Sequence, residues 1–233
     1  MISFCITCKN RSKIKYKNRI LELFPKCLAS ILECCNDLEE KVEVIISDWN
    51  STDYPLNDWV YDVFKGSNID IKVVQVIDET VFNLAHGRNV AFNESKGDKI
   101  FFMDADMILC KEVILDSIKN INEGYAVFPI CYFEKGAKQN RKNMFGDTSY
   151  GNMFISRKKF KSIGYWKGTS LYGSEDISYY QVCFDRYEPI ARKRYANFKH
   201  QWHPRYIGWP KGKKRNPKKR IYETKRGAAK KTD

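Results

Sequence analysis

Residues Phe101 to Asp106 read Phe-Phe-Met-Asp-Ala-Asp, an apolar run that closes on two carboxylates spaced i, i+2. Side chains alternate faces along a strand, so both carboxylates can reach one ligand where the strand stops and turns. Such a pair suits a hard divalent cation, Mg²⁺ or Mn²⁺, which takes oxygen ligands and often completes its shell with substrate phosphates. Taken alone, Asp-x-Asp at a strand end is more often a turn or a cap than a metal site. A second acidic pair, Glu175-Asp176, follows Ser174 at the head of a helix-like segment. There Ser suits the N-cap, and acids in the first turn complement the helix dipole whether or not they do chemistry.

The elements that must position these groups alternate. Strand-like Ile2 to Thr7, a helix within Asn18 to Cys35, strand Val42 to Asp48, a helix near Leu56 to Phe64 and strand Ile71 to Ile77 follow in order. A helix near Gly87 to Ser95, strand Lys99 to Met103 and a helix around Glu112 to Asn120 continue the pattern, which predicts a mainly parallel α/β sheet covered on both faces. Ligands of open sheets collect at the carboxyl ends of the strands, so Asp48 and Asp104, which both end strands, should share one rim. Beyond a strand near Tyr125 to Cys131 the pattern loosens into a long polar loop, 133–150. Gly151 to Ser156 then reads as a strand, Arg157 to Ile163 as a short helix and Ser174 to Tyr187 as a longer one.

At 233 residues and 43% hydrophobic content the chain suits one substantial globular core. No apolar run approaches the roughly 18–20 residues of a membrane span, and the N-terminus lacks the layout of a signal peptide, so a cytoplasmic location is expected. The eight cysteines sit largely in or beside apolar stretches of a chain this long, which reads as reduced core thiols rather than a disulfide framework. Charge is concentrated. Residues 211–233 hold eleven Lys/Arg against Glu223 and Asp233, so this tail carries +9 of the total +13. The expected layout is one domain over 1–210 and a basic, flexible tail over 211–233. The tail could meet an anionic membrane surface, or simply stay solvated; aromatics do not interleave with its charges beyond Tyr222, so no dedicated nucleic-acid partner is expected.

Several segments, in order, resemble the family 2 glycosyltransferases and their GT-A-fold relatives, including the galactosyltransferase and chondroitin-polymerase groups. SFCITCKNR, within Ile2 to Arg11, is similar to the first strand and nucleotide-binding loop, with Thr7-Cys8 where a proline is common. SDWNSTD, Ser47 to Asp53, is similar to the family's DDGSTD turn. HGRNVAFNESKGDKIFFMDAD, His86 to Asp106, resembles its ARN-helix-KG-strand-DxD run, and GNMFISRKKFKSIGYWKGTSLYGSED, Gly151 to Asp176, resembles the acceptor-side stretch. An ordered series of this kind is far more specific than any one motif. It covers most of residues 1–187.

The resemblance implies an inverting, metal-dependent transfer of a sugar from a nucleotide-diphosphate donor, a UDP-sugar, to a hydroxyl of a glycan acceptor. Thr7 and Arg11 would belong to the donor-binding loop, Asp48 would accept a hydrogen bond from the uracil, and Arg88 would help fix the donor phosphates. Asp104 would contact the donor ribose or sugar, and Asp106 would ligate Mn²⁺ or Mg²⁺. A late histidine ligand is also implied; His200 and His203 are the candidates, with His203 preferred for its place after the acceptor region. Asp176 would be the catalytic base, with Glu175 beside it binding acceptor or shaping the site. Such a base takes the proton of the attacking hydroxyl, while the metal neutralises charge on the departing diphosphate. Tyr172 and Trp166 could offer aromatic faces to an acceptor sugar, although core packing is the commoner fate of such residues. Tyr172 and Tyr165 replace a tryptophan and a glycine of the family pattern, both at acceptor-facing positions.

Three other readings compete. Cys5, Cys8, His200 and His203 could supply two Cys and two His for zinc, but positions i and i+3 on a strand face opposite ways. A noncatalytic nucleotide-sugar or polyanion-binding protein would not need Asp104, Asp106 and Asp176 together. A nucleotidyltransferase would carry a glycine-rich loop after the first strand, and Thr7 to Lys13 has no glycine.

Overall fold

The computed structural model describes residues 1–77, 82–134, 145–168, 175–186 and 188–204. The basic tail, the middle of the 133–150 loop, Tyr172, Ser174 and Tyr187 lie outside the described residues. Met1–His203 form one unit.

The chain opens with β1 (Ile2–Cys8), a hairpin of β2 (Lys13–Tyr16) and β3 (Arg19–Glu22), α1 (Phe24–Cys35) and β4 (Val42–Asp48). A 3₁₀ turn (Leu56–Asp58), α2 (Val60–Val63), β5 (Ile69–Gln75), α3 (Leu84–Glu94) and β6 (Lys99–Asp104) follow. Next come β7 (Met107–Ile108), α4 (Lys111–Asn122), β8 (Ala126–Val127), β9 (Ile130–Phe133) and β10 (Met153–Ser156). The described chain closes with α5 (Arg157–Ile163), α6 (Glu175–Asp185), β11 (Ile190–Ala191) and β12 (Arg194–His200).

A seven-stranded sheet orders as β11-β8-β10-β6-β1-β4-β5, and β10 alone runs against the rest. This is the expected mainly parallel α/β sheet. Strands β1 and β4 are buried at every position, as a sheet covered on both faces requires; even Glu43 within β4 is buried, accepting from Ser3 Oγ at 2.6 Å. Strand alternation divides the core in two. Phe4, Ile6, Phe101 and Met103 face α1, α2 and α4, while Cys5, Ile100 and Phe102 face α3, α5 and α6. Phe101 stacks on Phe154 at 3.4 Å between ring centroids, and Phe4 meets Phe101 edge-on at 5.3 Å.

Several elements differ from the sequence expectation. The helix expected within Asn18 to Cys35 starts at Phe24, where Pro25 suits the first turn; ahead of it β2 and β3 form an unexpected hairpin, its turn holding Lys17 at φ 51°. Helix α3 begins three residues before Gly87, because the Asn83 side chain accepts the His86 N–H at 3.1 Å and caps it. The strand expected over Tyr125 to Cys131 is two strands parted by Phe128-Pro129, since proline offers no ladder N–H. Strand β9 leaves the main sheet to pair with β12, which also pairs with β7. All eight cysteines are free thiols; burial pushes Cys5, Cys131 and Cys183 up to about 12, so they behave as core hydrophobes. Among the described residues no helix is long and apolar enough to cross a membrane.

The Phe101–Phe154 stack lies at the centre of the larger core cluster, with both rings essentially unexposed. Phe101→Ala should therefore lower unfolding free energy by about 3–5 kcal/mol in a urea titration, with the slope unchanged.

Candidate active site

Parallel register brings four strand ends, of β1, β4, β5 and β6, level. Thr7 stands opposite Asp104, Cys8 opposite Asp48, and Asp48 opposite Gln75. Asp48 is buried and both its oxygens are held: Oδ1 accepts the Ser51 N–H at 3.2 Å and Oδ2 accepts from Gln75 Nε2 at 3.1 Å. The loop after β1 is tied to the loop after β4. Asn10, at φ 51°, accepts the Thr52 N–H at 2.7 Å and donates its own N–H to Ser51 Oγ at 3.0 Å, while Asp53 accepts the Lys13 N–H at 2.8 Å. These ties hold the two loops together beside Asp48. Thr7 is buried and its hydroxyl accepts from Ser47 at 3.0 Å. Gly87 packs over it so closely that an added Cβ would fall 2.4 Å from Thr7 Cγ2.

Asp104 and Asp106 face different partners. The Asp104 N–H donates to Asn152 Oδ1 at 3.0 Å, and its carboxylate accepts from Arg88 Nη2 at 2.8 Å. Arg88 is only 2% exposed, its guanidinium carbon lies 4.6 Å from the Trp166 ring centroid, and its Nη1 is 3.6 Å from Glu175 Oε1. One buried cation thus joins the end of β6 to the start of α6. Burial pushes the carboxyls of both Asp104 and Glu175 up against the pull of Arg88, and the Asp106 charge adds to the push on Asp104. Gly151 lies against this pair, where a Cβ would come 2.7 Å from Asp104 Oδ2. The neighbouring Asn89 exchanges two hydrogen bonds with the Trp166 backbone, at 2.8 and 3.0 Å, and holds Trp166 in place.

Asp106 turns toward β12. His200 pairs in register with Met107, and the Gln201 N–H donates to the Asp106 carbonyl at 2.9 Å. This brings His200 Nε2 to 3.7 Å from Asp106 Oδ1 and His203 Nε2 to 3.1 Å from Oδ2, with Arg11 Nε 3.8 Å from Oδ2. Burial opposes ionisation of Asp106, but His200, the hydrogen bond and charge of His203, and Arg11 outweigh it and hold the carboxyl well below its usual range. The three ligand atoms lie within 4.8 Å of one another. A carboxylate with two imidazoles fits a divalent ion, and the nitrogen donors favour a first-row transition ion such as Mn²⁺ over Mg²⁺.

The structure therefore gathers Asp104, Asp106, Arg11, His200 and His203 at one rim, and joins Glu175 to Asp104 through Arg88. Arg88 itself meets carboxylates on both sides. Glu175 is buried toward Arg88, while Asp176 is half-exposed and the more open of the two acids. Trp166 takes the packing fate: it is 3% exposed, with Tyr179 at 4.4 Å and Phe102 at 5.3 Å. Cys5 and Cys8 point into opposite core clusters, so they cannot share a zinc with the histidines. Sequence reasoning left out Gln75, Asn89 and Asn152. Asn89 and Asn152 sit inside the quoted Arg-Asn and Gly-Asn stretches, and Gln75 ends a strand level with Asp48.

Residues 3–179 match the model of the family described as "Glycosyl transferase family 2". Among solved structures, residues 1–349 of S. aureus TarS in complex with UDP-GlcNAc align at a TM-score of 0.63 and 16% identity, covering 88% of this chain and 59% of that one. The mannosyltransferase PcManGT from Pyrobaculum calidifontis, in complex with GDP-Man and Mn²⁺, aligns at 0.61 and 14% identity, covering 89% and 58%. The chain thus spans under two thirds of the length of these structures. A search of curated proteins returned no match.

Removing the buried cation leaves two carboxylates without their shared partner. Arg88→Met should cost about 3–5 kcal/mol of stability in urea unfolding, far more than an exposed arginine substitution.

Proposed function

Since this chain belongs to glycosyl transferase family 2, a family of GT-A-fold glycosyltransferases, we propose that it moves a sugar from a UDP-sugar to a hydroxyl of a glycan acceptor with inversion at the anomeric carbon. The observation that carries this reading is the Asp106, His200 and His203 cluster, placed beside Asp104 at the carboxyl rim of the sheet. Two solved structures of this fold hold UDP-GlcNAc, or GDP-Man with Mn²⁺, which supports a nucleotide-sugar donor. The uracil preference rests on Asp48, whose carboxylate is held in place by Ser51 and Gln75 and would accept the ring N–H.

Asp106, His200 and His203 would hold Mn²⁺. Bound there, the ion supplies a Lewis acid that neutralises charge on the leaving diphosphate. Asp104, fixed by Arg88 and Asn152, orients the donor sugar or ribose. Asp176, the open carboxylate at the head of α6, takes the proton of the attacking hydroxyl as that oxygen approaches the face opposite the leaving group. Glu175 anchors this helix end to Arg88 and so sets where Asp176 stands.

Nucleotide release measured across a donor panel tests the reading. EDTA should abolish release, and Mn²⁺ should restore it better than Mg²⁺. Asp106→Ala should reduce turnover by about 10²-fold or more through lost metal affinity. Asp176→Asn should cut transfer by about 10²–10⁴-fold while donor affinity, read by calorimetry, stays within a few fold. Full activity in either variant removes the role assigned to that residue; donor binding with no release under any condition would instead indicate a binding module.

A further inference from the structure

The half of the rim beyond β10 carries a cluster that the chemistry above does not use. Because β8 and β11 run parallel to β6, Phe128 and Arg192, which follow their carboxyl ends, and Tyr150, which precedes the antiparallel β10, lie on the same rim as Asp104. Tyr150 and Tyr180 stack at 4.3 Å between centroids, and Tyr180 is braced edge-on by Phe128 at 5.1 Å. The Arg192 guanidinium carbon lies 4.4 Å from the Tyr150 ring centroid and 5.3 Å from that of Tyr180.

Among the described residues Arg192 has no direct ion pair; Asp147 acts on its charge only through space. The Arg192 Nη2 donates to the Asp147 carbonyl at 2.7 Å, but its buried Nη1 has no hydrogen-bond partner among the described residues. The hydrogen bonds of the Asp147 carboxylate go to Arg194, at 2.9 and 2.8 Å, so it stabilises the Arg192 charge through space without pairing to it. A guanidinium set beside aromatic faces with an unanswered N–H is matched to an anionic oxygen, of a carboxylate or a phosphate, as acceptor. Burial already presses against its charged form, so an anion there would relieve an existing cost.

Position says what brings that anion. Tyr180 lies four residues after Asp176 on α6, hence on the same helix face and about 6 Å further along. A glycan whose attacking hydroxyl sits at Asp176 would lay its adjoining unit against Tyr180, and half-buried tyrosine rings offer apolar faces to a sugar. Resting on the transferase reading, we propose that Tyr150, Tyr180 and Arg192 form an acceptor subsite that takes a glycan unit bearing an oxyanion, a carboxylate or a phosphate.

The test compares methyl β-glucoside, methyl β-glucuronide and glucose 6-phosphate as acceptors for the full-length protein with Mn²⁺ and its best donor. Acceptor-stimulated nucleotide release should have a kcat/KM at least tenfold higher for one or both anionic sugars than for the neutral one, and which anion leads separates uronate from phosphate. Arg192→Met should bring that ratio to within about twofold of unity, chiefly through KM for the anionic acceptor; Arg192→Lys, which keeps charge but loses the planar fork, should fall between. Donor KM is read alongside. A wild-type enzyme that releases nucleotide without preferring the anionic sugars overturns the subsite and leaves the transferase standing. A preference that survives Arg192→Met, or a donor KM that rises in step with that of the acceptor, also overturns it. No release from any donor would bring down the transferase reading, and the subsite with it.

Discussion

A guanidinium that is 2% exposed must be neutralised where it lies, and Arg88 is neutralised by one carboxylate from the end of β6 and another from the start of α6. This requirement locks the middle strand of the sheet to the helix that carries Asp176. Trp166 closes one face of the cation and is itself pinned through Asn89, so it is held from the same helix that supplies Arg88. Gly151 completes the arrangement by lacking the Cβ that would collide with Asp104.

Asp104 and Asp106 are two residues apart yet live in opposite electrostatic settings. The first is drawn inward by one cation that it shares with Glu175, and burial raises its carboxyl. The second is drawn outward by two imidazoles and Arg11, and is held ionised. The chain turns between them, which lets β7 leave the main sheet and pair with β12. One turn thus sends two carboxylates of neighbouring position to opposite partners. The same turn is braced from below, where the Cys27 thiol reaches the Asp104 carbonyl at 3.8 Å and Ser30 Oγ accepts the Leu109 N–H at 2.9 Å.

Much of the frame was legible in the chain itself. Largely apolar runs marked β1, β4 and β6 because parallel strands are buried on both faces, and the ends of β4 and β6 lie level as that topology demands. The hairpin was not legible. Ile14, Tyr16, Ile20 and Leu21 give too short an alternation to compete with the helical pattern that follows, and Lys17 takes its left-handed turn without a glycine to announce it. Strand β12 was missed for a related reason: Arg194–His200 is polar at most positions, being an element of a small three-stranded sheet with only Tyr195 and Phe198 buried.

By itself the sequence determined which carboxylates end strands, that the sheet is mainly parallel, and that Asp104, Asp106 and Asp176 belong to one ordered series of motifs. These follow from local periodicity and from the order of segments, which the chain carries along its length. Only the tertiary structure decided that both His200 and His203 reach Asp106, that Arg88 spends its charge on Asp104 and Glu175, and that Arg192 lies against a stacked pair of tyrosines on the far rim. The reason is distance along the chain: these contacts join residues far apart in sequence, and no local preference specifies which cation a buried carboxylate will meet once the sheet has closed around it.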